Sequence, residues 1–405
     1  MTKKFPKYYI KTYGCQANIA DTALMAGILE YLGFSPLTIN NPENEADEMH
    51  KVFQQADVIV INSSSIRQKS EDKVYGMGKM IKDTNSTSLV ILAGCMVGSV
   101  RGERTRLKEK ILVNKVPWVN AYISTEEIYD LPKVLYENNR ISKEDFDSFD
   151  AKSIVPKLNS KTHAYVNISY GCDNFCTYCV VPYARGREVF RSEEEILSEI
   201  HDFIKRGITE ITLCGQNVNS WGLDRKAKFD LRMGSSQEIP FADLLREVHK
   251  IDKLTKISFL SSNPFDFTQD LIDTLALPKI DDYIHIAVQS GNNDILKAMN
   301  RRHTVEEFLD LISRIRVVKP SVEIGTDLIV GFPGETEDQF MDTVALVKFA
   351  KFSVAFIAMY SSRLGTVAQK TLKDDVSLQE KKRRHELLTR VYMENKPSNF
   401  KVCKS

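Results

Sequence analysis

The sequence predicts an α/β protein of two domains, each organised around a parallel sheet. Three observations lead there. Short apolar runs alternate with helix-length amphipathic segments in two separate series, which is the pattern of strand–helix–strand units whose strands run parallel. A polar stretch with little periodicity parts the two series. The 405 residues exceed what one compact core of ordinary size accommodates.

The first series, residues 1–135, reads YYIKTYG, DTALMAGILEYLGF, DVIVINSS, SEDKVYGMGKMIKD, SLVILAGC and WVNAYIS. In an open parallel sheet, ligands gather beyond the carboxyl ends of the strands. Cys15, Ser64 and Cys95 stand at those ends. Residues 136–160 are charged and aperiodic and read as a linker or an extended wrap between domains. The second series, 161–395, has six strands, AYVNISYGC, EITLCGQN, KISFLSS, YIHIAVQS, VEIGTDLIVGFPG and VAFIAMYS, with helical patterns between them. Six β/α units of one hand make an incomplete, open barrel with its chemistry at the C-terminal strand ends. The basic helix LQEKKRRHELLTRVYMEN and a tail, 396–405, close the chain.

Composition narrows the function. With 42% apolar residues, 27% charged residues and a formal net charge of +1, the chain lacks the global basic footprint of a phosphate binder, so any RNA contact is local. The basic N-terminus MTKKFPKYYI is followed by no apolar signal region, and no 18-residue apolar run occurs. Signal peptide and membrane span are therefore unsupported, and a cytoplasmic protein is expected. Seven cysteines, three of them crowded together, point to metal or redox chemistry rather than a disulfide framework.

That crowding is the strongest motif. YGCDNFCTYC places Cys172, Cys176 and Cys179 in a CxxxCxxC spacing after the first barrel strand. Three thiolates on one short loop can grip three corners of a cubic iron–sulfur cluster and leave one iron open to a small molecule. A structural zinc site would want a fourth protein ligand, and no further Cys or His lies close by in sequence.

With these residues the chain resembles the radical S-adenosylmethionine (radical SAM) superfamily, whose signature is this spacing with an aromatic residue, here Tyr178, before the last cysteine. The stretches KTYGCQAN, GCDNFCTYCVVPYARGREV, LCGQNVNSWG, VQSGNNDILKAMNRRHT and DLIVGFPGETEDQF resemble the methylthiotransferase family, and within it the type that acts on isopentenylated adenosine beside the tRNA anticodon. The resemblance implies a flavodoxin-like N-terminal domain, a partial (β/α)₆ radical SAM barrel and a [4Fe–4S] cluster on Cys172, Cys176 and Cys179. The open iron would bind S-adenosylmethionine (SAM) and cleave it to a 5′-deoxyadenosyl radical. By position in the barrel, Gly215, Gln216, Asn217, Gln289, Ser290 and Asp327 become candidates for the cofactor's polar groups, with strand-end capping and turn chemistry as the alternative for each, and Tyr178 is counted with them as a cofactor-binding residue. Gly331 and Gly334 are expected to serve a turn, with close approach to the adenine as the alternative. Rival readings are a methylthiotransferase for another tRNA adenosine or a ribosomal protein, and a non-catalytic tRNA-binding paralogue.

The family's N-terminal domain normally gives three cysteines to a second, auxiliary cluster. Cys15 and Cys95 match two of them, and Ser64 stands where the third is found. A serine oxygen is a hard ligand where such clusters favour soft thiolates, so a more labile cluster is expected. Cys214 reads as a buried small hydrophobe and Cys403 has no assigned role. The implied partners are a tRNA anticodon loop, an electron-donor protein and a sulfur source. Arg185 and Arg187, with Arg191, and Arg301 and Arg302, with His303, are the expected RNA contacts. Arg225, Lys226 and Lys228 read as a solvated loop. The family's usual C-terminal RNA-binding β-barrel is expected to be absent, or else the sequence is truncated, with weaker tRNA affinity as the consequence of its absence.

Overall fold

The computed structural model describes residues 5–39, 45–66, 68–84, 87–158, 160–232 and 239–397. Two compact units result: one runs to Lys161 and includes Gly171–Asp173 and Val180–Glu188; the other comprises Thr162–Tyr170, Asn174–Cys179 and the chain from Val189. Cys403 lies outside the described residues.

In the first unit the chain runs β1 (Lys7–Tyr13), α1 (Gln16–Tyr31), β2 (Ser35–Pro36), α2 (Glu45–Gln55), β3 (Val58–Ser63), α3 (Gln68–Asp83), β4 (Leu89–Ala93), α4 (Cys95–Gly98), α5 (Glu109–Lys115), β5 (Ala121–Ile123), α6 (Leu131–Glu137), α7 (Lys143–Asp147) and α8 (Val181–Ala184). The five strands form one parallel sheet in the order β2-β1-β3-β4-β5, the flavodoxin-like order. Strands β3 and β4 are buried at every position, because apolar clusters cover both faces. Phe53, Ile59, Ile61, Val90 and Leu92 fill one, and Met25, Ile28, Val58, Val60 and Ile91 the other. That explains the unbroken apolar runs VIVI and LVILA. Each such side chain contributes roughly 1.5–3 kcal/mol on burial.

Segment 136–160, expected as a linker or an extended wrap, packs along the first unit. It carries α7, capped by Ser142 accepting from Asp145 N, and Ile141, Phe149 and Ile154 pack on the first unit's core. Tyr136 stacks on Phe146 at 5.1 Å, and Lys157 N donates to Ala23 O at 2.9 Å. A few well-spaced apolar groups suffice to dock a segment whose other residues are charged and solvated.

The second unit contains β6 (His163–Asn167), a short antiparallel pair β7 (Ser169–Tyr170) and β8 (Val189–Phe190), then α9 (Glu193–Lys205), β9 (Glu210–Cys214), α10 (Arg225–Arg232), α11 (Pro240–His249), β10 (Lys256–Phe259), α12 (Gln269–Thr274), β11 (Tyr283–His285), α13 (Asn293–Ala298), α14 (Val305–Val318), β12 (Glu323–Val330), α15 (Glu337–Ala350), β13 (Val354–Met359), α16 (Val367–Thr371) and α17 (Leu378–Asn395). Strands β6, β9 and β10 pair in parallel, as do β11, β12 and β13. Parallel bridges Ile257↔Ile280 and Ser262↔Ile286 join the two sets. The result is the six-stranded open barrel. Capping boxes at Ser192/Glu195, Thr304/Glu307 and Thr336/Gln339 start three of its longer helices, each a sequence signal satisfying otherwise orphaned N–H groups.

Two basic stretches change meaning here. Arg225, Lys226 and Lys228 lie on α10 rather than in a loop, and Lys228 is buried with its Nζ over the Phe190 ring. On α17, Arg384 donates to Glu335 O and Oε2, both at 2.8 Å, and Lys381 pairs with Asp374 at 2.6 Å. The helix is pinned to the barrel by its charges. Among the described residues no helix is long and apolar enough to cross a membrane.

Candidate functional site

In the first unit, parallel register brings the ends of β1, β3 and β4 together, Tyr13 opposite Ser63 and Asn62 opposite Ala93. Cys15 caps α1 and Cys95 opens α4. Gly94, at φ 92°, makes the turn into α4, and a side chain there would strike Asn62 and Ser63. Asn18 sits between the sulfurs: Cys15 Sγ donates to its Oδ1 at 3.5 Å, and its Nδ2 lies 3.9 Å from Cys95 Sγ and 3.2 Å from Asn62 Oδ1.

Arg185 faces the same sulfur. Its Nε donates to Cys95 Sγ at 3.2 Å and its Nη2 to Asp21 Oδ2 at 2.9 Å, with 3% of the residue exposed. Burial pulls the guanidinium pKa down, but Cys95, Asp21 and Cys15 together hold it above its ordinary value. Burial pushes the Cys15 thiol up, Arg185 opposing. Ser64 is buried: its N–H donates to Tyr13 O at 2.7 Å, and its Oγ accepts from Ile66 N at 3.2 Å. Its hydroxyl thus already caps the turn after β3.

Three of the arginines expected to meet RNA have partners within the protein. Arg185 is buried against sulfur. Arg191 donates to Asn167 O at 2.8 Å and Glu199 Oε2 at 2.5 Å. Arg301 donates to Cys176 Sγ at 3.4 Å and Ala287 O at 2.6 Å, with its guanidinium 5.4 Å from the Phe265 ring centre. Arg187 is exposed and paired with Glu103, and Arg302 lies over Phe265 at 5.9 Å. His303 is buried and stacked on Phe265 at 6.2 Å.

Cys172, Cys176 and Cys179 are not joined in disulfides. In the second unit the loop bearing Cys176 and Cys179 is tied down at several points. Asn300, at φ 56°, donates from Nδ2 to Asn174 O at 3.2 Å and Phe175 O at 3.0 Å. Thr177 N donates to Met299 O at 3.0 Å, Thr177 Oγ1 to Ala298 O at 2.9 Å, and Ala368 N to Thr177 O at 2.8 Å. Tyr178 packs on Ile295, Met299, Phe332 and Tyr360. Burial, followed by Cys176, pushes its phenol up.

The strand-end candidates divide. Gly215 leaves room for the Ser169 hydroxyl, which is buried without a hydrogen bond, as is Ser262 Oγ after β10. Gln216 is partly exposed. Gln289, at φ 77° and 8% exposed, bridges to Leu328; a non-glycine residue in that region is a mark of a constrained site. The others have partners within the protein. Asn217 is locked with Ser220 and Asn263 in a network that includes Asp266, and Ser290 Oγ accepts from Asn292 N at 3.2 Å. Asp327 Oδ2 lies 2.8 Å from His285 Nε2, whose Nδ1 meets Tyr283 OH at 2.8 Å. Gly331 and Gly334 have φ 69° and 81° and donate to Glu335 and Asp375, a turn role.

The donor set suits the implied groups: soft thiols on a pinned loop with an N–H aimed at one sulfur, and buried hydroxyls at strand ends with hydrogen-bonding capacity to spare. Among the described residues, no three His, Cys, Asp or Glu side chains already converge on one point. Sequence reasoning missed Asn18, Asp21, Ser169, Ser262 and His285. Asn18 and Asp21 had a signal, polar residues on a helix face destined for burial.

Residues 166–347 match the Radical SAM superfamily, and residues 7–115 an uncharacterized protein family, UPF0004. The chain is 41% identical over 388 residues to the tRNA-2-methylthio-N(6)-dimethylallyladenosine synthase of Thermotoga petrophila, covering 94% of this chain and 80% of that protein. It is 39% identical over 401 residues to the synthase of that name from Clostridium botulinum, covering 96% and 82%. The fold is similar to that of the radical S-adenosylmethionine methyltransferase TsrM from Kitasatospora setae, with a TM-score of 0.60 at 13% identity over 87% of this chain and 72% of that one. Identity at this level to both synthases, over nearly the whole of this chain, shows the family: the chain belongs to the tRNA-2-methylthio-N(6)-dimethylallyladenosine synthases, within the radical SAM superfamily.

Proposed function

We propose that the chain replaces the C2 hydrogen of N6-isopentenyladenosine, next to the tRNA anticodon, with a methylthio group. The observation that carries this reading is the 41% identity, across 94% of the chain, to a protein named for that product. Cys172, Cys176 and Cys179 would hold the [4Fe–4S] cluster and leave one iron for SAM. When bound, that pair supplies the 5′-deoxyadenosyl radical and SAM supplies the methyl group. The chain's own part is to hold and to shield. Backbone and side-chain bonds fix Cys176 and Cys179 before any ligand arrives. The apolar packing around Tyr178 keeps water from beneath the loop. Ser169 and Ser262, with Gln216 and Gln289, would meet the cofactor's polar groups at the strand ends.

Cys15 and Cys95 would hold the second, auxiliary cluster, with Asn18 and Arg185 set around their sulfurs. An electron-donor protein and a sulfur source complete the reaction's demands. Ser64 favours one alternative: a chain that cleaves SAM but inserts sulfur poorly, because the third ligand is a hydroxyl already hydrogen-bonded to Ile66 N. Nucleosides from tRNA of a strain lacking the gene distinguish the readings. Accumulated isopentenyladenosine, methylthiolated again on complementation, supports the proposal; an unchanged nucleoside profile opposes it.

A further inference from the structure

We infer that Arg301 is a positioning residue for the radical-generating cluster: it holds the Cys176 sulfur by an N–H···S bond and raises the reduction potential of the cluster bound there. This rests on the proposed function only in taking Cys176 as a cluster ligand.

Three observations carry it. The guanidinium is held from several directions, donating to Cys176 Sγ at 3.4 Å and to Ala287 O at 2.6 Å, with the Phe265 ring 5.4 Å beneath it. A planar, always-charged fork suits such a post; a lysine ammonium would not span both acceptors. Arg301 follows directly on Asn300, whose left-handed backbone and side-chain amide tie the loop's Asn174 and Phe175 carbonyls. One short segment therefore sets both the loop backbone and the charge at its sulfur. The neighbouring His303 carries no competing charge: burial, then Arg301, pushes its pKa down to about 3.

Physically, a hydrogen bond and a positive charge at a cluster sulfur stabilise the reduced state, which carries one more electron, over the oxidised one. The couple is a one-electron reduction in which the electron comes from the donor protein, or from titanium(III) citrate in vitro, and no bond to Arg301 forms or breaks.

The test compares reconstituted native protein with Arg301→Lys and Arg301→Gln by EPR-monitored redox titration without tRNA. Arg301→Gln should be reduced at least tenfold less readily at equilibrium, a shift of about 59 mV to lower potential. Arg301→Lys should recover part of that shift. Iron content and the thermal melting of the apo forms separate this from simple misfolding. A Gln variant that folds, binds native amounts of iron and keeps the native potential overturns the inference while leaving the methylthiolation reading untouched. A shifted potential in a chain that makes no methylthiolated product does the reverse.

Discussion

Arg185 Nε lies 3.2 Å from Cys95 Sγ while Arg185 Nη2 pairs with Asp21 Oδ2 at 2.9 Å, and all three side chains are buried. A buried arginine with one carboxylate partner is costly to leave unpaired. Asp21→Ala should destabilise the apo protein by about 3–5 kcal/mol in urea denaturation. The Asp21→Ala/Arg185→Met pair should recover much of that loss, and additive effects would show that the two do not interact.

His303 gives a pH signature. Unfolded, a histidine titrates near its ordinary value of 6.5; folded, burial and then Arg301 hold this one at about 3. The unfolded chain therefore binds the extra proton first, so the contribution to stability is full above pH 6.5 and is lost as pH falls toward 3. Between roughly pH 7 and pH 5 that loss is about 2 kcal/mol. His303→Leu should show a correspondingly flatter stability profile over the same interval; an unchanged slope would mean that His303 titrates normally.

SAM affinity separates the strand-end residues. Ser169→Ala and Ser262→Ala each remove a buried hydroxyl with no protein partner, and each should weaken SAM binding to reconstituted protein roughly 3- to 10-fold, the equivalent of ~0.5–1.5 kcal/mol, with little change in melting. Asn217→Ala should do the opposite, lowering stability through the Ser220–Asn263–Asp266 network. Isothermal titration and thermal melting on the three variants read both quantities.

Ser64→Cys should increase the iron retained by the first unit. Anaerobic reconstitution of a Cys172→Ala/Cys176→Ala/Cys179→Ala background isolates that site, and equal iron with and without the Ser64→Cys substitution would show that the hydroxyl is no handicap.

How far the sequence revealed all this depends on what each residue's position depends on. Strand order and the cysteine positions follow from periodicity and from parallel connections, both local properties. So VIVINS and LVILA announce central strands, and Cys15 and Cys95 their ends. Long side chains are different, because where Arg185 and Arg301 end is decided by distant partners, Asp21 and Ala287 among them. Both read as RNA contacts in sequence and both turn to sulfur in the fold. The docking of segment 136–160 is hard to read for a related reason: it rests on Ile141, Phe149 and Ile154, too few apolar residues to show a period. Asn217 and Ser290 sit where a cofactor site was expected, yet their polar atoms are occupied by neighbours.

Methylthiolation can be read out by anaerobic incubation of reconstituted protein with reductant, isopentenylated tRNA and SAM bearing a deuterated methyl group, followed by mass spectrometry of the digested nucleosides. Methylthiolated isopentenyladenosine carrying the label, formed together with 5′-deoxyadenosine, is the expected product. Release of 5′-deoxyadenosine while the tRNA stays unmodified would contradict it.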